Sequence, residues 1–375
     1  MIKSLTASTA IALALMAGAA NADVTIADVA ELSGAGAAAG AVWHDGVVMG
    51  FDEINADGGI LGEKVNLVAY DSQTDPQNSR AMVQKAIDEG TFVLMGTVYS
   101  SSTVVNMLVA QQNGMPQFTG SESPTITAKG NPYIFRTSFG AQKSMPKVAT
   151  YYADGLGAKK VAVVWANTEF GKGGRDAFVA NAAEKGIEII ADIPTEQAQV
   201  DFAADVAKIK AAGADAIFAY MTEEESARFL IEADKQDVGV PIGGETVLVS
   251  QKVIDLAGEA ANGAFGHVGL SADAPVPAIQ EMSKKFEERF GYKADHNAMK
   301  GYVAIYAAKT AIERAGELDR QKVADTLHSM TVKVSEVPNI LLDVSWDETG
   351  EVSRESFLVE IQDGKSVVKD TLPAN

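Results

Sequence analysis

The chain has 375 residues, with 31 Lys and Arg against 50 Asp and Glu, and a formal net charge of −19 at neutral pH. A surface this acidic repels nucleic acid and anionic lipid, which argues against both as partners. Zero cysteines exclude disulfides, thiol catalysis and Cys-ligated zinc, and four scattered histidines (His44, His267, His296, His328) argue against a His-rich metal site.

The chain opens with Lys3, an apolar stretch from Thr9 to Ala20, and an A-x-A site at Ala20-Asn21-Ala22. This pattern predicts a cleaved export signal over residues 1–22 and a mature chain starting at Asp23. No later segment has 18 or more uninterrupted apolar residues, so no membrane span is expected.

From Val24 onward, short Val/Ile/Phe runs alternate with amphipathic stretches. The runs VTIADVAEL, VNLVAYD, FVLMGTV, MPQFTG, VAVVWAN, IEIIADI and AIFAYM read as buried strands. Between them DGVVMGFDEINAD, PQNSRAMVQKAIDEG, GRDAFVANAAEKG and DFAADVAKIKAAG read as helices, most ending on Gly or Asp. Repeated strand–helix–strand order predicts α/β architecture with doubly wound parallel sheets. The pattern plays twice, over about 24–140 and 141–266. Three helical patterns follow from Pro277 to Met330, then two strand-like runs, ILLDVSW and SFLVEIQDG. These late pieces are too few for a third domain, so they are expected to complete the first two.

Several motifs bear on chemistry. GAGAAAG (Gly34–Gly40) loosely resembles a dinucleotide fingerprint, but its spacing is G-x-G-x-x-x-G; a first strand–helix loop contributing to a ligand site fits better. DGKS (Asp363–Ser366) ends like a phosphate loop but lacks the earlier glycine, position 359 being Val, and reads as a hairpin turn. No G-x-S-x-G or Ser/His/Asp set is present, so no enzyme and no cofactor is expected.

Four hydroxyls in a row, Ser100, Ser101, Ser102 and Thr103, stand where the third strand hands over to a helix. One would suffice as a cap. The free N–H groups and positive dipole end of a first helical turn also suit an anion. Ser100 is therefore read as a ligand donor and at least one of the others as the cap. FTGSESP (Phe118–Pro124) brings Ser121 and Ser123 to the end of the next strand, and GGET (Gly243–Thr246) brings Glu245 to the end of a second-half strand. Donors for a carboxylate opposite an acid for an ammonium would suit a zwitterion.

FDEINADGGILGEKVNLVAYDSQTDPQNSRAMVQKAIDEG followed by SSST, with NPYIFRTS, EFGKGGRDAF and LLDVSWDETGEV, resembles the branched-chain amino-acid-type substrate-binding proteins of bacterial ABC transporters. The resemblance covers essentially the whole chain beyond the export signal. It implies two α/β lobes joined by three crossovers that close on a ligand, with residues 23–140 plus 270–343 in one lobe and 141–269 plus 344–375 in the other. It implies a periplasmic location, a small amino acid or carboxylate as ligand, permease subunits as partner and a monomer. By position, Ser100 matches the serine that holds the ligand carboxylate, Ser121 and Ser123 the second loop, and Glu245 the ammonium-binding acid. Ala39 and Thr222 stand where amino-acid binders carry aromatic side chains, and Thr74 and Tyr99 where some carry paired cysteines. Tyr99, Phe170, Glu122 and Trp43 are further candidates to shape the pocket, with Trp43 and Phe170 equally suited to the core. Amides, urea and aromatic acids are alternative ligand classes, and ligand sensing for a membrane receptor is an alternative role.

Overall fold

The computed structural model describes residues 24–374, so the expected export signal lies outside the described residues. The first half runs β1 (Val24–Ala30), α1 (Ala37–Ala56), β2 (Val65–Asp71), α2 (Pro76–Asp88), β3 (Val93–Met95), α3 (Ser100–Gln112), β4 (Gln117–Thr119) and β5 (Ile134–Arg136). The strands pair in parallel in the order β2-β1-β3-β4-β5. Helices cover both faces, which is why β1 and β3 are buried almost throughout and read as largely apolar runs.

The second half runs α4 (Ala141–Thr150), β6 (Lys160–Ala166), α5 (Glu169–Glu184), β7 (Glu188–Thr195), α6 (Ala203–Ala212), β8 (Ala216–Tyr220), α7 (Glu223–Lys235), β9 (Ile242–Glu245), α8 (Gln251–Ala257) and β10 (Phe265–Val268). After it come α9 (Pro277–Phe290), α10 (His296–Ala315), α11 (Arg320–Leu327), β11 (Thr331–Val332), β12 (Val344–Trp346), β13 (Val352–Arg354), β14 (Ser356–Gln362) and β15 (Lys365–Leu372). The second sheet has the order β15-β14-β10-β9-β8-β6-β7, parallel except where β14 pairs β10 and β15.

Each sheet reverses direction once, between β1 and β3 in the first and between β6 and β8 in the second. Loops at the carboxyl ends of strands beside such a reversal splay apart and leave a crevice. The late segments return to both sheets. α10 packs along α1, and β14–β15 extend the second sheet.

Small residues set the α1–α10 distance. A Cβ on Gly46 would stand 2.0 Å from the Ala298 carbonyl, and one on Gly301 2.3 Å from the Trp43 carbonyl. Only glycine permits this backbone approach. It carries the first turn of α10, with Asn297 and Lys300, beside the loops of the first sheet.

Two local expectations are corrected and a third holds. GAGAAAG is not all loop, because α1 starts at Ala37 inside it. ILLDVSW is not one strand. Pro338–Ile340 form a 3-10 turn and Leu341 has φ +68°, so extended backbone is confined to Val344–Trp346. β12 pairs with β11 on one side and β13 on the other in a separate antiparallel sheet, and the Trp346 indole donates to the Arg136 carbonyl at 2.7 Å. DGKS is the expected hairpin turn: Asp363 and Gly364 have φ +50° and +73° and join β14 to β15.

Candidate functional site

A cavity of ≈ 50 Å³ lies where the strand ends of the two sheets meet. From the first sheet it is lined by Tyr99, Ser100 and Ser101 after β3 and Glu122 after β4; from the second, by Thr168 and Phe170 after β6, Thr222 and Glu223 after β8, and Val247 after β9. Ala39 of α1 and Asn297 of α10 complete its polar and apolar walls.

The end of the cavity at α3 is built to donate. Glu31, fully buried, accepts the N–H groups of Val98 and Tyr99 at 3.2 Å each, which fixes the chain entering the helix. The N–H groups of Ser102 and Thr103 go to the Tyr99 carbonyl. Those of Ser100 and Ser101 have no partner among the described residues. Ser100 Oγ accepts from the N–H groups of Glu122 at 3.4 Å and Ser123 at 3.2 Å, which leaves its own proton to donate. The loop bearing those N–H groups is held by buried Arg136. Its guanidinium donates to the carbonyls of Ser121 and Ser123 and pairs with Glu351 at 2.6 Å.

The expected hydroxyl cap is absent. Tyr99 is the N-cap of α3, and its side chain makes no capping bond. Thr103 is drawn away into a buried network, 2.7 Å from Thr97 Oγ1 and 2.6 Å from Ser121 Oγ. That network also occupies Ser121, which donates to the Val98 carbonyl at 2.8 Å and does not line the cavity. Ser123 does not line it either. Its hydroxyl reaches Glu169 of α5 at 2.8 Å, and Thr125 joins it at 2.5 Å, making a contact between the two halves.

The acids carry the electrostatics. Glu122 accepts from Lys300 Nζ at 2.7 Å and from the Tyr220 hydroxyl at 3.2 Å, the latter across the two sheets. Burial, then the nearby charge of Glu245, pushes its carboxyl up to about 7. Glu245 is not part of the cavity lining. It accepts from the Thr246 N–H at 2.9 Å, lies 3.1 Å from His267 Nδ1 and is close enough to Glu122 for their charges to interact. Burial raises it, opposed by the charge of Lys300. Burial pushes His267 down to about 3, so the ring is neutral and its Nδ1–H donates to Glu245.

Other candidates are placed plainly. Tyr99, Thr222 and Phe170 line the cavity, and Phe170 stacks on Tyr220 with centroids 4.3 Å apart. Trp43 is core, its indole donating to buried Asp28 at 3.0 Å. Thr74 ties the first loop, accepting from Gly36 N–H and donating to the Ser33 carbonyl.

Sequence reasoning missed Glu223, Asn297 and Lys300. Burial pushes Glu223 up to about 7, followed by repulsion from Asp295 and Glu224. Asn297 is 1% exposed, and neither its amide oxygen nor its nitrogen has a partner.

A family model described as periplasmic binding protein matches residues 23–366. The chain is similar to Leu/Ile/Val-binding protein homolog 3 of Brucella melitensis, 30% identical over 360 residues that cover 94% of this chain and 95% of that one. It is 26% identical to an amino acid binding protein of Pseudomonas aeruginosa, with 92% and 91% covered. In structure it is similar to the branched-chain amino acid transporter substrate-binding protein LivJ of Streptococcus pneumoniae, solved with isoleucine (TM-score 0.85, 21% identity, 94% and 99% covered). It is equally similar to an ABC transporter solute-binding protein of R. palustris, solved with benzoate (TM-score 0.86, 21% identity, 94% and 97% covered). The two-lobed α/β fold is thus that of type I periplasmic binding proteins. By the span of the family match and the identity of its relatives, the chain belongs to the periplasmic binding protein family.

Proposed function

We propose that this protein is a periplasmic receptor that binds a small amino acid or related carboxylate between its lobes and delivers it to an ABC permease. One observation carries the reading. A single cavity joins both sheets, with unpartnered donors at Ser100 and Ser101 at one end and carboxyls on its wall. The ligands of these similar proteins, branched-chain amino acids and benzoate, share the carboxylate that such donors suit. We read the molecule as a binding protein and not as an enzyme. The lobes are proposed as 23–140 and 141–269, each completed by later segments. Because β12 and β13 share a sheet with β11, we place the last crossing between Arg354 and Ser356.

A micromolar receptor needs about −8 kcal/mol. Hydrogen bonds to charged groups contribute about 1.5–3 kcal/mol each, so four or five suffice in a closed site. A thermal-shift screen over amino acids, amides and aromatic acids should find a stabilising ligand. Ser100→Ala should then cost about 1.5–3 kcal/mol of binding by calorimetry. Unchanged affinity in Ser100→Ala would place the ligand elsewhere.

A further inference from the structure

The α3 end of the cavity suits a carboxylate, but the rest of its lining is short of cations. Glu122 and Glu223 line it, the charge of Glu245 acts on Glu122, and the ammonium among them is that of Lys300. Lys300 is 4% exposed, and its Nζ stands 2.7 Å from Glu122 and 3.5 Å from the Gly120 carbonyl. With the Tyr220 hydroxyl, it supplies Glu122 from within the protein. Thr246 and His267 supply Glu245 in the same way. These two acids therefore have internal partners.

Glu223 is different. It is 6% exposed, opens α7 and takes a hydrogen bond from its own N–H alone. It shares the cavity with Asn297, whose buried amide is unpartnered at both oxygen and nitrogen. Glu223 comes from the second sheet's loops, whereas Asn297 comes from α10, which packs on α1 of the first lobe. A buried carboxyl served only by its own N–H and a buried amide without partners each lose hydrogen bonding that water would have given. A protonated amine placed between them satisfies the Glu223 carboxylate and Asn297 Oδ1 together, and in doing so ties one lobe to the other.

Resting on the cavity reading above, we propose that Glu223 and Asn297, and not Glu245, hold the ligand's ammonium, so that the cleft selects amines and a carboxylate is secondary. Lys300 is a positioning residue: by occupying Glu122 it leaves Glu223 as the open acid. Ligands of the benzoate kind, which bring a negative charge and no ammonium, are disfavoured here even though a structural neighbour holds one.

The test is calorimetry with matched probes: L-leucine, L-leucinamide (amine without carboxylate), isocaproate (carboxylate without amine) and benzoate, with the alanine and valine series run alongside. In wild-type protein, within at least one series, the amino acid and its amide should bind within about tenfold of each other. The deaminated acid and benzoate should bind at least about tenfold more weakly than either. Glu223→Gln should remove most of that preference while Glu223→Asp retains part of it, and thermal melts of both variants should confirm folding. Glu245→Gln should leave the preference in place. Tighter binding of isocaproate or benzoate than of the amines would overturn the proposal while leaving the cavity reading intact. So would wild-type selectivity in Glu223→Gln with its loss in Glu245→Gln. Absence of binding by every probe, with no effect of Ser100→Ala on any screened ligand, would overturn the cavity reading as well.

Discussion

At the scale of single residues, the unusual feature is how many buried carboxyls have their affinity for a proton raised by burial. Burial pushes Glu31, Glu122 and Glu223 up to about 7 and raises Glu245 and Asp295. Each binds its proton more tightly folded than unfolded. Its stabilising effect is thus complete below the ordinary carboxyl range and is lost as pH rises through the folded value. His44, raised by its bond to Asp28, acts in the same direction. His267 and His296 oppose this. Burial keeps them neutral, so the unfolded chain gains their protons first and stability rises with pH up to about 6.5. Above about pH 6.5 only the falling contribution remains. The ligand-free Tm is therefore predicted to fall between about pH 6.5 and 8, while the Tm increase given by an amine ligand grows over the same window because its carboxyl partners ionise. Differential scanning fluorimetry across that range checks both; a ligand-free Tm that climbs would contradict the assignment of these groups.

At the scale of elements, the site depends on where α10 is carried. Gly46→Ala would push a methyl against the Ala298 carbonyl, next to Asn297. Overpacking of this kind costs about 1–3 kcal/mol. Urea denaturation should show that loss, and ligand affinity should fall with it, although the residue lies outside the cavity lining. An unchanged midpoint would mean that α1 and α10 do not need their close approach. The same dependence explains what could be read from the sequence. Strands such as β1 and β6 were legible because both faces are buried and the runs are mostly apolar. Ser100 was legible because a strand end followed by a helix start fixes its surroundings locally. Asn297 and Lys300 were not, because they reach the site only through the packing of α10 on α1. Glu223 was hidden for another reason. It opens a helix with Glu224 and Glu225, three acids that complement the helix dipole, and Glu225 also completes a capping box with Thr222. Nothing local separates the cavity-lining acid from its neighbours. The hydroxyl run misled on the cap because Thr103 finds partners on β4 and its loop, which lie beyond local sequence.

At the scale of the whole molecule, the proposed function makes closure of the two lobes on a ligand the output. A ligand that touches both lobes only when they are closed shifts that equilibrium by its differential affinity. Protein contacts contribute too, since Glu169 is held by Ser123 and Thr125 across the halves. Glu169→Ala should weaken binding severalfold by favouring the open form, without altering which ligand is preferred; a changed ligand ranking would mean that Glu169 acts on the ligand itself. Closure itself is directly measurable, because a chain without cysteines accepts two labels cleanly. Spin labels on cysteines introduced at exposed Ala128 and Lys172 report on opposite lips of the cleft. Double electron–electron resonance should give a longer or broader distance distribution without ligand, collapsing to one short distance at saturation, with no collapse at the same concentration in Ser100→Ala. An identical distribution with and without a calorimetrically confirmed ligand would contradict ligand-driven closure of the two lobes.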